Sequence, residues 1–209
     1  MKLLAKIILG GDGGVGKTTL IHRYITNSFI DSTKLTIGAA FHTHEIEYDG
    51  HSVLVQIWDL GGQEQFKQMG LFSKYFKGAS VSVIMFDLTR LSTIDSIPFW
   101  ADLAKNASNC KLVLVGGKKD LAQGLSFKQE DFAELFEQYN FVEYHETSSA
   151  TGDGVPEVFQ AIAKAIVDQT LEKKNNGNGN GNRNGKENGK SNENCKDNTK
   201  IIADNKKKS

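Results

Sequence analysis

The residues with the plainest chemical use are Gly11-Asp12-Gly13-Gly14-Val15-Gly16-Lys17-Thr18, which fit the spacing G-x-x-x-x-G-K-[ST]. Glycines at this density let successive backbone N–H groups turn inward around phosphates, and a helix opening at Thr19-Leu20-Ile21 adds the partial positive charge of its N-terminus. Lys17 would place an ammonium between β- and γ-phosphate, and Thr18 a hydroxyl on Mg²⁺. The same stretch satisfies G-x-G-x-x-G through Gly11, Gly13 and Gly16, with Asp31 downstream, a dinucleotide-binding pattern. Lys17-Thr18 decides against that reading, because a dinucleotide-binding helix continues there with apolar or small residues. A glycine-rich turn without a ligand is the plain alternative for this segment taken alone.

A second constellation, Trp58-Asp59-Leu60-Gly61-Gly62-Gln63-Glu64, closes a β-rich run. An Asp at a strand end can hold Mg²⁺ through a water, Gly62 can bring its N–H to a γ-phosphate, and Gln63 can orient an attacking water. D-x-x-G-Q alone is a weak pattern, but behind a phosphate loop and at a strand end it is a strong one.

Such loops need a scaffold that presents them together. Between residues 2 and 172, short β-rich runs alternate with longer amphipathic stretches, the pattern of crossover units feeding a mainly parallel sheet. The runs predict strands at about 3–9, 41–48, 53–59, 81–87, 111–116 and 141–145, and helices at about 16–27, 65–76, 91–107, 128–139 and 155–171. Tyr48-Asp49-Gly50-His51 predicts an antiparallel hairpin between the second and third strands at the sheet's edge. The other four read as buried parallel strands.

On these residues the chain resembles a Ras-superfamily small GTPase, nearest the Rab branch, over roughly residues 3–170. The resemblance is carried by Gly11 to Thr18, by Thr36-Ile37-Gly38 with Phe41, and by Ile57-Trp58-Asp59 followed by Gly62-Gln63-Glu64. The Rab leaning rests on Thr-Ile-Gly-x-x-Phe and the Tyr-Asp-Gly hairpin. The resemblance implies an α/β P-loop NTPase fold, a six-stranded mostly parallel sheet flanked by five helices. It also implies GTP/GDP and Mg²⁺ as ligands, slow GTP hydrolysis, and a two-state switch in vesicle trafficking or signalling. An exchange factor, a GTPase-activating protein and effectors are the implied partners.

By position, Thr36 closes on Mg²⁺ and γ-phosphate, Phe29 packs on guanine, and Gln63 is the catalytic residue. Thr18, Thr36 and Asp59 are the implied metal set. The implied nucleotide contacts are Gly11, Asp12, Gly13, Gly14, Val15, Gly16, Lys17, Thr18, Thr19, Phe29, Thr36, Asp59, Gly62, Lys118, Asp120, Ser148 and Ser149. The family's Asn-Lys-x-Asp is Gly117-Lys118-Lys119-Asp120 here. Asp120 can still accept both guanine N–H donors, while adenine leaves it unpaired. Gly117 has no amide to bond the base or the phosphate loop, a loss of about 0.5–1.5 kcal/mol. In Glu146-Thr147-Ser148-Ser149-Ala150, Ala150 stands for the family's Lys and removes a packing and charge partner near the base. Leu60-Gly61 replaces the family's Thr-Ala, and the extra glycine is expected to loosen the second switch.

Composition bounds the rest. With 209 residues and 39% hydrophobic content the chain suits one domain, at 1–172. That domain holds 15 Lys and Arg against 21 Asp and Glu, and residues 173–209 hold 10 against 4. The tail is Asn/Gly/Lys-rich with little to bury, so it is expected to be disordered. Its diluted charge reads as a solvated spacer and not as a nucleic-acid site. Two cysteines, Cys110 and Cys195, make no disulfide framework, which suits the cytosol. Neither a signal peptide nor a membrane span is expected, and Cys195 lies in no prenylation box. Membrane contact is therefore expected to be transient or partner-mediated.

Three features remain open in the sequence. His42 and His44 share a strand face and suggest a metal, although a solvated face needs no ligand. Phe66, Met69, Phe72, Tyr75 and Phe76 could form an exposed effector patch, core, or both. Beyond a cycling switch, the sequence admits a nucleotide-binding module that has lost cycling. It also admits a phosphate-loop kinase using ATP, which would leave Asp120 and Asp59 to Gln63 without a task.

Overall fold

The computed structural model describes residues 1–31, 35–63, 72–108, 110–177 and 200–202, of which 176–177 and 200–202 are described by their backbone. Its first strand, β1 (Lys2–Gly10), carries the phosphate loop at its C-terminal end, and α1 (Lys17–Thr26) follows. The hairpin β2 (Ala39–Tyr48) and β3 (His51–Leu60) comes next, then α2 (Phe72–Phe76), β4 (Val81–Asp87) and α3 (Ile97–Ser108). Finally β5 (Lys111–Gly117), α4 (Ala133–Tyr139), β6 (Phe141–Glu146) and α5 (Val155–Gly177) complete the domain. The main sheet runs β2-β3-β1-β4-β5-β6, and only β2 and β3 in that path pair antiparallel.

The expected fold is the observed one: six main strands, mostly parallel, with five α-helices among the described residues. The hairpin turn follows from its two central residues. Asp49 at φ 46° and Gly50 at φ 68° both take the left-handed region, as a two-residue turn matched to strand twist requires. Every residue of β4 is buried, because helices cover both faces of the sheet. One core joins α1 and α5 to the sheet through Leu20, Ile21, Val158, Phe159 and Ile162. The other packs Phe72, Phe76, Trp100 and Ala104 on the opposite face.

Element boundaries depart from the sequence reading in four places. The stretch expected to be helix at 91–107 is a 3₁₀ turn at Leu91–Thr93 followed by the α-helix from Ile97. Pro98, which lacks an N–H, belongs in the first turn of a helix, so the helix proper starts beside it. Residues 128–139 divide likewise into a 3₁₀ turn, Gln129–Phe132, and α4. The last helix continues past residue 172 to Gly177. Lys200–Ile202 (β7) pairs antiparallel with Lys2 to Leu4 of β1. It lies within the tail expected to be disordered, but Ile201-Ile202 is the tail's one β-branched pair. The strand edge it meets is open because β4 pairs with β1 only from Ile7 onward. Residues 64–71, with Phe66 and Met69, and the tail at 178–199 and 203–209, with Cys195, lie outside the described residues.

Candidate nucleotide site

Three loops at the C-terminal ends of β1, β3 and β5 meet in one cleft. It is lined by Gly13 to Thr19, Phe29 to Asp31, Thr36, Gly62, Gln63, Lys118, Asp120 and Ser149, among others. A loop can wrap this tightly only where Cβ atoms are missing. At Gly11, φ is 142° and a Cβ would strike the Met85 carbonyl oxygen; at Gly62 one would strike the Gly11 carbonyl. Lys17 is 5% exposed, and its Nζ donates to the carbonyls of Gly11 at 2.6 Å and Asp12 at 2.9 Å, so the loop curls around its own ammonium. The Asp12 carboxylate is engaged away from the cleft, accepting from Ser96 Oγ at 2.8 Å and Trp100 Nε1 at 3.2 Å. Asp12 can therefore offer its main chain to a phosphate.

Beside the ammonium, oxygens from three segments converge. Thr18 Oγ1 donates to Asp59 Oδ2 at 2.5 Å and lies 2.8 Å from Thr36 Oγ1. Asp59 is fully buried, and among the described residues its Oδ1 has no hydrogen-bond partner. Burial pushes this carboxyl above its ordinary range, against the hydrogen bond from Thr18 and the charge of Lys17. A buried, unsatisfied carboxylate oxygen beside two hydroxyls fits a hard divalent cation, which takes oxygen ligands. Gln63 approaches from the same side, its Nε2 donating to the Thr36 carbonyl at 3.4 Å.

Gly61 sits at a close approach of the two segments. A Cβ there would strike the Thr36 carbonyl oxygen, and its N–H donates to the Gly38 carbonyl at 2.8 Å. The missing side chain lets the two switch segments touch.

At the other end of the cleft, Ser148 Oγ donates to Asp120 Oδ1 at 2.6 Å and orients the carboxylate. Lys119 is drawn outward to Asp153 at 2.8 Å, which leaves Asp120 facing the cleft. Lys118 takes the left-handed conformation at φ 64°, and its Nζ pairs with the buried Asp87 at 2.7 Å. Ala150 offers its carbonyl to Arg23 at 2.5 Å. Phe29 is 47% exposed at the rim, open to a flat ligand.

Four contributors had no sequence signal. Met85 and Asp87 support the base loop from β4, Trp100 holds Asp12, and Arg90 Nη2 donates to the Gly13 carbonyl at 2.7 Å across 77 residues. His42 and His44 are half-buried, with the His44 ring 5.0 Å from Tyr24 in an edge contact. Among the described residues no group of three or more His, Cys, Asp and Glu is placed to hold a metal. Outside the cleft, Phe41 packs edge-on against Trp58 at 4.1 Å, and Tyr75 lies 5.9 Å beyond. Phe72 and Phe76 are core, while Phe41 and Ile37 stand 61% and 81% exposed.

Comparison with known proteins places the chain among relatives. The model of the Ras family matches residues 6–168. The chain is similar to the Ras-related protein Rab-19 of Xenopus laevis, 36% identical over 166 residues that cover 78% of this chain and 77% of the relative. Rab-19 of Homo sapiens is 36% identical over 78% of this chain and 76% of its own. Rab-7b of Paramecium octaurelia is 31% identical over 83% and 86%.

Proposed function

The chain belongs to the Ras family of small GTPases, and on that footing we propose a guanine-nucleotide switch that binds GDP and GTP with Mg²⁺ in the cleft between β1, β3 and β5. The observation that carries this reading is the Thr18, Asp59 and Thr36 cluster with its one unsatisfied carboxylate oxygen. Mg²⁺ held there would neutralise charge on β- and γ-phosphate oxygens. Lys17, already buried among loop carbonyls, exchanges one or both for phosphate oxygens. Asp120, oriented by Ser148, accepts the guanine N–H donors, and Phe29 covers the base. Gln63 orients the attacking water. Thr36 ties the first switch to the metal, so loss of the γ-phosphate frees it and changes the surface around Ile37 and Phe41.

Intrinsic hydrolysis is slow in this reading, on the order of 10⁻⁴ to 10⁻³ s⁻¹, because Ile30 to Thr36 holds no arginine and a partner supplies that charge. An exchange factor and effectors complete the cycle, in a Rab-like trafficking role with membrane contact that is transient or carried by a partner. A second reading, a nucleotide-binding module that scarcely cycles, draws on Gly117 and Ala150 standing where the family has Asn and Lys. Competition for a labelled guanine nucleotide tests the base assignment: GTP and GDP displace it and ATP fails to. Equal displacement by ATP sinks the role of Asp120.

A further inference from the structure

Gly117 stands where the resembled motif has an asparagine, yet the space beside it is filled. A Cβ built at Gly117 would overlap the terminal methyl of Met85 and come within 2.9 Å of the Val15 carbonyl oxygen. The thioether thus occupies the volume through which a side chain at 117 would reach the phosphate loop. The same methyl lies 3.4 Å from the Cβ position of Gly16. Met85 is 2% exposed and lines the cleft. Two residues along, on the same face of β4, Asp87 grips Lys118. One strand face therefore supports the base loop at two successive positions.

We propose that Met85 and Gly117 form an exchanged pair, in which the thioether replaces the missing carboxamide as the positioning residue that couples the base loop to the phosphate loop. This rests on the guanine-nucleotide reading above. Methionine suits the role because its unbranched, flexible side chain fills irregular gaps by contact alone. Restoring asparagine by itself therefore does not tighten binding. It displaces the thioether toward the cleft, where a nucleotide would lie, and only a shorter residue at 85 makes room for the carboxamide.

The test uses the full chain in four forms: unaltered, Met85→Val, Gly117→Asn and the double variant. Valine keeps an apolar residue at position 85, and its β-branching suits a strand, so folding is preserved. Dissociation of N-methylanthraniloyl GDP into excess GDP, with Mg²⁺ present, is expected to speed up by about tenfold in Gly117→Asn. In the double variant it returns to within about threefold of the unaltered rate. Melting temperatures of the nucleotide-free proteins follow the same non-additive order. Gly117→Asn alone holding the label as long as the unaltered chain, or additive effects of the two changes, overturns the pairing. Failure of the unaltered chain to retain any labelled GDP contradicts the guanine-nucleotide reading instead. The melting cycle then decides the pairing alone: coupling supports the shared slot and additivity overturns it.

Discussion

Gln63 and Arg90 both lie against Gly13, and the two have different expected effects. The Cβ position of Gly13 lies 3.6 Å from Gln63 Cγ, while the Gly13 carbonyl accepts from Arg90. In the proposed mechanism Gln63→Leu removes the group that orients water, so single-turnover GTP hydrolysis is expected to fall by about tenfold or more. Arg90 is engaged with the loop carbonyl, and Arg90→Ala is expected to leave that rate within about twofold. A tenfold drop on losing Arg90 would instead identify it as a cis arginine and remove the argument for slow hydrolysis. Lys17, Thr18, Asp59 and Asp120 were legible because each stands at or just past a strand end at a fixed spacing, and spacing is what a sequence records. Arg90, Met85 and Asp87 were not, because their partners lie in other loops and nothing local marks the pairing. Gly61 was legible as a glycine, but its reason, the approach of the Thr36 carbonyl, comes from a segment remote in sequence.

At the scale of elements, two joints set how the site behaves. Gly61 is the joint between the switches, and Gly61→Ala forces the Thr36 carbonyl away at a cost of about 1–3 kcal/mol. In the switch proposed above that contact belongs to the closed arrangement, so the variant is expected to release labelled GTP faster while labelled GDP changes little. Equal acceleration of both would show that the contact is indifferent to the γ-phosphate. The second joint is the ion pair that ties the base loop to β4. Burial pushes the Asp87 carboxyl up, but hydrogen bonds from Lys118 and Thr89 outweigh it and hold the group below its ordinary value. A depressed folded value gives stability that is present above the unfolded pKa of about 3.9 and lost as pH falls through the folded one. The melting temperature is expected to keep falling below about pH 4, and Asp87→Asn to flatten that decline. An unchanged slope would show that the pair contributes nothing there. The hairpin and the six main strands were readable from alternation and the Asp-Gly turn. The start of α3 was not, since apolar spacing through residues 91–107 masks a 3₁₀ turn that Pro98 resolves.

Across the whole molecule, the domain is acidic by six charges and the segment from 173 to 209 basic by six. No helix of the described residues is long and apolar enough to cross a membrane. Basic residues near an anionic surface gain about 1 kcal/mol each only when held close, and here ten are spread among four acids with Asn and Gly between. In the reading proposed above membrane contact is transient or carried by a partner, so most of the protein is expected in the supernatant when cells are fractionated at physiological salt. Pelleting that Cys195→Ser reverses would show acylation of the tail. The hydrolysis and nucleotide-release predictions depend on what occupies the cleft between β1, β3 and β5. The most direct measurement is chromatography of the small molecules released by denaturing the protein after gentle purification in Mg²⁺. GDP or GTP in near-equimolar amount is the predicted result; ATP, or an empty site that takes up no added GDP, would contradict the account.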